Sequence, residues 1–150
     1  MKSSVLLLRA ASLLTLIHAV LHTIGGVFGK PDPGPASIAV LAMQTNQFQW
    51  MGNTRSYWNF YIGFGLGITI FLTLDAIVLW LLASLAKSEA ARLRPIILAY
   101  AIGYTAFAVN SYVYFFLGAV VTEILIVLCL AGAAVAAKSA RSPEIASANR

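Results

Sequence analysis

The sequence predicts an all-α protein: a four-helix transmembrane bundle with a short interfacial helix in its first outer loop. Hydrophobic residues make up 60% of the chain and charged residues 10%, where a soluble domain carries roughly 25% charged residues. At a mean hydropathy of +0.84, too little polar surface remains to cover a water-facing core. Four apolar stretches approach or exceed the roughly 20 residues that cross a bilayer as a helix. Lysine and arginine gather on alternate connections between those stretches, as they do at membrane flanks.

The first span is expected at 5–27. Lys2 precedes it as in a secretory leader, but Arg9 interrupts the apolar run and no small-x-small site closes it, so a retained helix is expected. The second span, 58–85, is the longest and has room to tilt. Glycines at 63, 65 and 67 punctuate it, with Gly63 and Gly67 in the small-xxx-small spacing that lets helices approach closely. The third and fourth spans are expected at 95–117 and 120–137, followed by a polar tail at 138–150. Between the first two spans, the outer loop 28–57 opens with KPDPGP, a turn no helix accommodates. The stretch ASIAVLAMQTNQFQW that follows is helical in propensity but too short and polar to span. It is expected to lie on the membrane surface or to cover the outer mouth of the bundle as a lid. Trp50, Tyr57, Trp58 and Tyr61 mark the outer interface, where amphipathic rings settle. There is no internal repeat, and the chain reads as a single domain of 150 residues.

Lys2 and Arg9, then Lys87, Arg92 and Arg94, then Lys138, Arg141 and Arg150 fall on one face if the spans number four. The other face holds Lys30 and Arg55. Both termini are therefore expected on the cytoplasmic side of a cytoplasmic (inner) membrane. The net charge of +5 reads as membrane flanks, with no nucleic-acid partner. Cys129 is the one cysteine, which excludes an internal disulfide and dithiol redox chemistry. No phosphate-cradling loop, nucleophile elbow or dinucleotide fingerprint occurs.

Polar groups at membrane depth are costly and mark sites or packing pairs. The candidates are His18, His22, Asp75, Asn110 and Glu123. From the middle of each span toward the outer face, His18 lies roughly 3–5 Å out, Asn110 about 6 Å, Glu123 about 7–8 Å and His22 about 10 Å. Asp75 falls about 5 Å to the other side of the midplane, level with Tyr100 and Tyr104. His18 and His22 share a helix face, and Glu123 is the natural partner for one of them. Such an imidazole–carboxylate pair can hold or pass a proton near neutral pH. Equally, these groups can hydrogen-bond between helices for roughly 0.6–2 kcal/mol each. Two histidines at i, i+4 with Glu123 could ligate one ion. Membrane di-iron centres need more histidines, and a bis-histidine haem wants its ligands on opposite sides. No metal and no cofactor is expected. Arg55 can hold a lipid phosphate or substrate anion through its planar fork, or snorkel to water as a flank.

HAVLHTIGG, AMQTNQF and RSYWNFYIGFGLG together resemble a family of small bacterial four-helix membrane proteins of unassigned function. In that family paired histidines end the first helix, an Ala-Met element occupies the outer loop, and an arginine–aromatic–glycine run opens the second helix. The matching residues here are His18, His22, Met43, Arg55, Trp58, Tyr61 and Gly63. Where the family often has aspartate after the tryptophan, this chain has Asn59. Size and helix count also resemble the DoxX-like group. The resemblance implies a shared outer-leaflet site.

The leading expectation is an integral membrane protein that binds an apolar small molecule such as a lipid or isoprenoid, with acid–base conversion of it left open. His18 and His22 would handle the proton and Glu123 would orient them. Asn110, Arg55, Tyr61 and Trp58 would contact the substrate. The alternatives are a non-catalytic subunit of a larger membrane complex and proton-linked transport through Asp75 and Glu123. Membrane lipids are expected partners, with a homo-oligomer or a larger complex as the assembly.

Overall fold

The computed structural model describes residues 2–139. The polar tail beyond Ser139, with Arg141 and Arg150 of the charge argument, lies outside the described residues. The order of elements is α1 (Lys2–Leu21), a π-helical turn (His22–Val27), α2 (Pro35–Thr45), β1 (Gln47–Trp50), β2 (Asn53–Ser56), α3 (Tyr57–Tyr114) and α4 (Leu117–Ser139). The described chain is all-helical apart from one small hairpin. Three helical runs, Lys2–Val27, Tyr57–Tyr114 and Leu117–Ala137, are long and apolar enough to cross a membrane.

The expected second and third spans both lie in α3. Their boundary is a single residue, Glu89, whose φ of −116° and ψ of 25° break the helix into two arms. Pro95, expected to open the third span, sits inside the second arm. Apolarity set that expected boundary, whereas helical backbone requires only good helix formers, and Ala90, Ala91, Arg92 and Leu93 are all of that kind.

The chain divides into two compact units, one holding the residues up to His18 and from Thr73 onward, the other Ala19–Leu72. In the first unit buried positions recur at intervals of three and four. On α1 they are Ser4, Leu8, Ala11, Thr15 and His18; on the first arm of α3, Ala76, Leu79, Ala83, Ala86 and Ala90. The second arm contributes Ile97, Ala101, Tyr104, Ala108 and Ser111, and α4 contributes Val120, Glu123, Ile126, Leu130, Ala133 and Ala137. This is the seam spacing of packed helices, and alanine and serine fill most of it, so backbones approach closely. Serine hydroxyls pin the register: Ser4 Oγ donates to the Ala133 carbonyl at 3.3 Å and Ser12 Oγ to the Ala76 carbonyl at 2.6 Å. Many large apolar side chains face outward, with Phe71 70%, Ile102 71% and Leu128 62% exposed, while Leu8, Leu79, Ile97, Ile126 and Leu130 fill the interior. So much large apolar surface turned outward is unlike the surface of a water-soluble protein.

In the second unit the π-helical turn lies against the start of α3. Tyr61 Oη donates to the Gly26 carbonyl, and Thr23 Oγ1 meets Thr69 Oγ1 at 2.9 Å. A Cβ at Gly65 would stand 2.8 Å from Val27 Cγ2, whereas Gly63 and Gly67 face open space. The close approach thus belongs to Gly65 and not to the small-xxx-small pair. The hairpin was not expected. Its turn residues Met51 and Gly52 have φ of 49° and 81°, the left-handed pair that a two-residue type I′ turn requires. Phe48 packs on Tyr57 and Phe60 at 5.1 and 6.1 Å between ring centroids, and Trp50 stands edge-on to Phe60 at 5.9 Å. Ser56 and Asn59 then open α3 reciprocally: Asn59 Oδ1 accepts the Ser56 N–H at 2.9 Å, and Ser56 Oγ accepts the Asn59 N–H at 3.4 Å. This is a capping box with asparagine at its third position.

Candidate functional site

Glu123 is the single carboxylate of α4, and the seam spacing that buries Val120 and Ile126 buries it as well. Its side chain is 0% exposed. Ser111, on the seam of the second arm of α3, donates its hydroxyl to Glu123 Oε1 at 2.8 Å. His18 ends the buried stripe of α1 and places Nε2 3.8 Å from the same oxygen. That separation is an ion-pair distance and longer than a hydrogen bond. Phe107, one helical turn before Ser111, stacks on the His18 ring at 6.0 Å between centroids. Glu123 Oε2 is buried with no hydrogen-bond partner. A fully buried carboxyl group with one committed and one uncommitted oxygen is expensive. Beside an imidazole it can store a proton or present Oε2 to another polar group.

The second polar cluster in this unit is Asp75 with Tyr104, whose hydroxyl donates to Asp75 Oδ2 at 3.2 Å. The depth count placed these two at one level, and they touch. The Phe107 ring leans on Tyr104 at 6.4 Å as well as on His18, so an aromatic ring stands beside both clusters.

The other expected site residues go elsewhere. His22 belongs to the second unit, where its Nε2 lies 3.1 Å from the Gly65 carbonyl. Since a carbonyl only accepts, Nε2 carries the hydrogen in that contact. Asn110 is exposed, and the polar contact expected of it is made by its neighbour Ser111, about 100° further round the helix. Arg55 is exposed on β2 and donates from Nη1 to the Thr54 carbonyl at 2.8 Å. Trp58 and Tyr61 stack on each other at 5.2 Å, and α2 buries none of its residues. The structure therefore joins His18 and Glu123, adds Ser111, and leaves Arg55, Trp58 and Tyr61 in the local packing of the second unit. Among the described residues, no three of histidine, cysteine, aspartate and glutamate converge as metal ligands.

The chain matches no family model, no curated protein and no solved structure. Ser111 falls on the 97, 101, 104, 108 seam, a face that an all-round apolar helix does not mark in its sequence. The Asn59 cap is legible as Ser-x-x-Asn at the head of an apolar run.

Proposed function

We propose that this is an integral protein of the cytoplasmic membrane, a four-helix transmembrane bundle with both termini on the cytoplasmic side. Its His18–Glu123–Ser111 cluster holds one exchangeable proton against the polar end of an apolar small molecule such as a lipid or isoprenoid. The observation that carries this reading is the Glu123 carboxyl, wholly buried, with Ser111 and His18 on one oxygen and no partner on the other. In a low-dielectric interior that second oxygen can accept a hydrogen bond from a ligand hydroxyl or exchange a proton with it. His18 takes or returns the proton, and Ser111 fixes the carboxyl rotamer. Membrane embedding is supported by the three long apolar helical runs and by the outward-facing large side chains. Kinship with the small four-helix family and with DoxX-like proteins is part of the same proposal and supplies no activity.

A second reading, a non-catalytic subunit of a larger membrane complex, is favoured by the close packing around the pair. His18 is 7% exposed, and Phe107 covers its ring. Proton-linked transport ranks behind both, because the Phe107 ring sits beside His18 and Tyr104 where a proton path from Asp75 to Glu123 would need a polar bridge.

The test is histidine-ring nitrogen NMR of the protein in nanodiscs, wild type against Glu123→Gln, combined with native mass spectrometry of gently extracted protein. The His18 titration is expected to move in the variant while His22 serves as the internal reference. An apolar molecule retained by the wild type is expected to be lost. An unchanged His18 titration overturns the proton-holding pair. A moved titration with no retained molecule in either protein selects the subunit reading.

A further inference from the structure

At the Lys2 end of the first unit, far along α1 from His18, a groove of about 470 Å³ is lined by Lys2, Val5, Leu6, Arg9 and Lys87. The sequence builds it from one stripe of α1 and a single facing residue, Lys87, of α3. Lys2, Val5, Leu6 and Arg9 follow i, i+3, i+4, i+7 spacing on α1, and Trp80 and Lys87 are seven apart on the first arm of α3. The two helices run antiparallel here, since Ser12 bonds to Ala76 while Arg9 lies over Trp80 and Lys2 and Lys87 line one groove. Three cations therefore share one groove, and its lining includes no acidic residue. Arg9 lies roughly 10 Å along the helix from Lys2. Its guanidinium sits 5.1 Å over the Trp80 ring, and its Nε is buried without a hydrogen-bond partner. An arginine at that depth is costly unless an anion answers it. Where this unit offers a surface carboxylate, Glu89, it is already paired with Arg92 at 3.3 Å.

We infer that this groove is a binding site for one anionic phospholipid, its phosphate held by Lys2, Arg9 and Lys87 and an acyl chain lying along Val5 and Leu6. Charge complementarity selects the head, since three cations without an acid reject a zwitterion's ammonium as readily as they attract a phosphate. The half-buried Val5 and the exposed Leu6 select a chain-bearing ligand over free phosphate. Arginine's planar fork suits two phosphate oxygens at once, and the lysines add compact charge at the headgroup level. The site shares with the proposed function only its membrane embedding and involves none of the His18–Glu123–Ser111 cluster.

The test places the full chain in phosphatidylcholine nanodiscs containing a minor fraction of phosphatidylglycerol and reads retained lipid by native mass spectrometry. One phosphatidylglycerol per protein is expected on the wild type. Arg9→Gln and Lys87→Gln should each weaken retention about fivefold, from roughly 1 kcal/mol per basic residue at a membrane surface. Arg92→Gln, outside the groove, should retain lipid as the wild type does. Lys87 is exposed, so its variant keeps the test valid if Arg9→Gln misfolds. Equal retention of phosphatidylcholine overturns the site, and so does an equal loss in Arg92→Gln. Displacement of the lipid by glycerol phosphate at equal concentration would show a bare phosphate site and overturn the acyl-chain assignment. Alkaline carbonate extraction separately reports whether the chain is membrane-embedded, so failure of that reading is distinguishable from failure of the groove.

Discussion

Ser111→Ala is the most informative single change, because its cost reads the interaction that holds the Glu123 carboxyl. The hydroxyl–carboxyl distance is 2.8 Å, with Ser111 2% exposed and Glu123 wholly buried. Polar contacts between membrane helices average about 0.6 kcal/mol and reach about 1.7 kcal/mol. Here the loss should fall near the top of that range, about 1.5 kcal/mol, because Oε2 has no hydrogen bond to compensate. That corresponds to roughly tenfold in the folding equilibrium. The change deletes one oxygen and leaves no cavity of consequence, so packing contributes little. Reversible unfolding in mixed detergent–SDS micelles, followed by circular dichroism, measures the loss. Repeating the substitution in a Glu123→Met background isolates the pair, since methionine fills the space without an acceptor. There Ser111 has only its own helix to bond to, and its removal should cost less than about 0.3 kcal/mol. In a Glu123→Gln background the cost should persist, since the amide oxygen still accepts. Equal costs in the wild-type and Glu123→Met backgrounds would refute the pairing on which the proposed site rests.

Gly65→Ala should destabilise by about 1–3 kcal/mol through overpacking against Val27, and Val27→Ala should recover most of the loss, whereas Gly63→Ala and Gly67→Ala, with nothing within 4 Å, should be neutral or mildly stabilising; the same micelle titration ranks them. For topology, in a Cys129→Ala background, cysteine at Ser88 should be shielded from a membrane-impermeant thiol reagent in intact cells while cysteine at Asp32 is labelled. The reverse pattern would invert the proposed orientation.

What the sequence determined by itself is what depends on composition and on distance along a helix axis. Apolar runs of this length satisfy their backbone in lipid as helices, each bonded within its own segment, and α1, α3 and α4 follow. Axial position is additive at a fixed rise per residue, so His18 could be set level with Glu123, and Asp75 with Tyr104, before any packing was known. Rotation about those axes is settled only by the packing of helix against helix. Helices that are apolar on every side carry no amphipathic stripe to say which face turns inward. One residue is a rotation of about 100°, and that step separates exposed Asn110 from buried Ser111. It also gives the close approach to Gly65 and not to Gly63 or Gly67, and it spends His22 on a backbone carbonyl. The break at Glu89, the Met51–Gly52 turn and the meeting of Lys2, Arg9 and Lys87 in one groove likewise depend on which segments lie side by side. Pairing of that kind is fixed by contacts between distant residues, on which local propensity is silent.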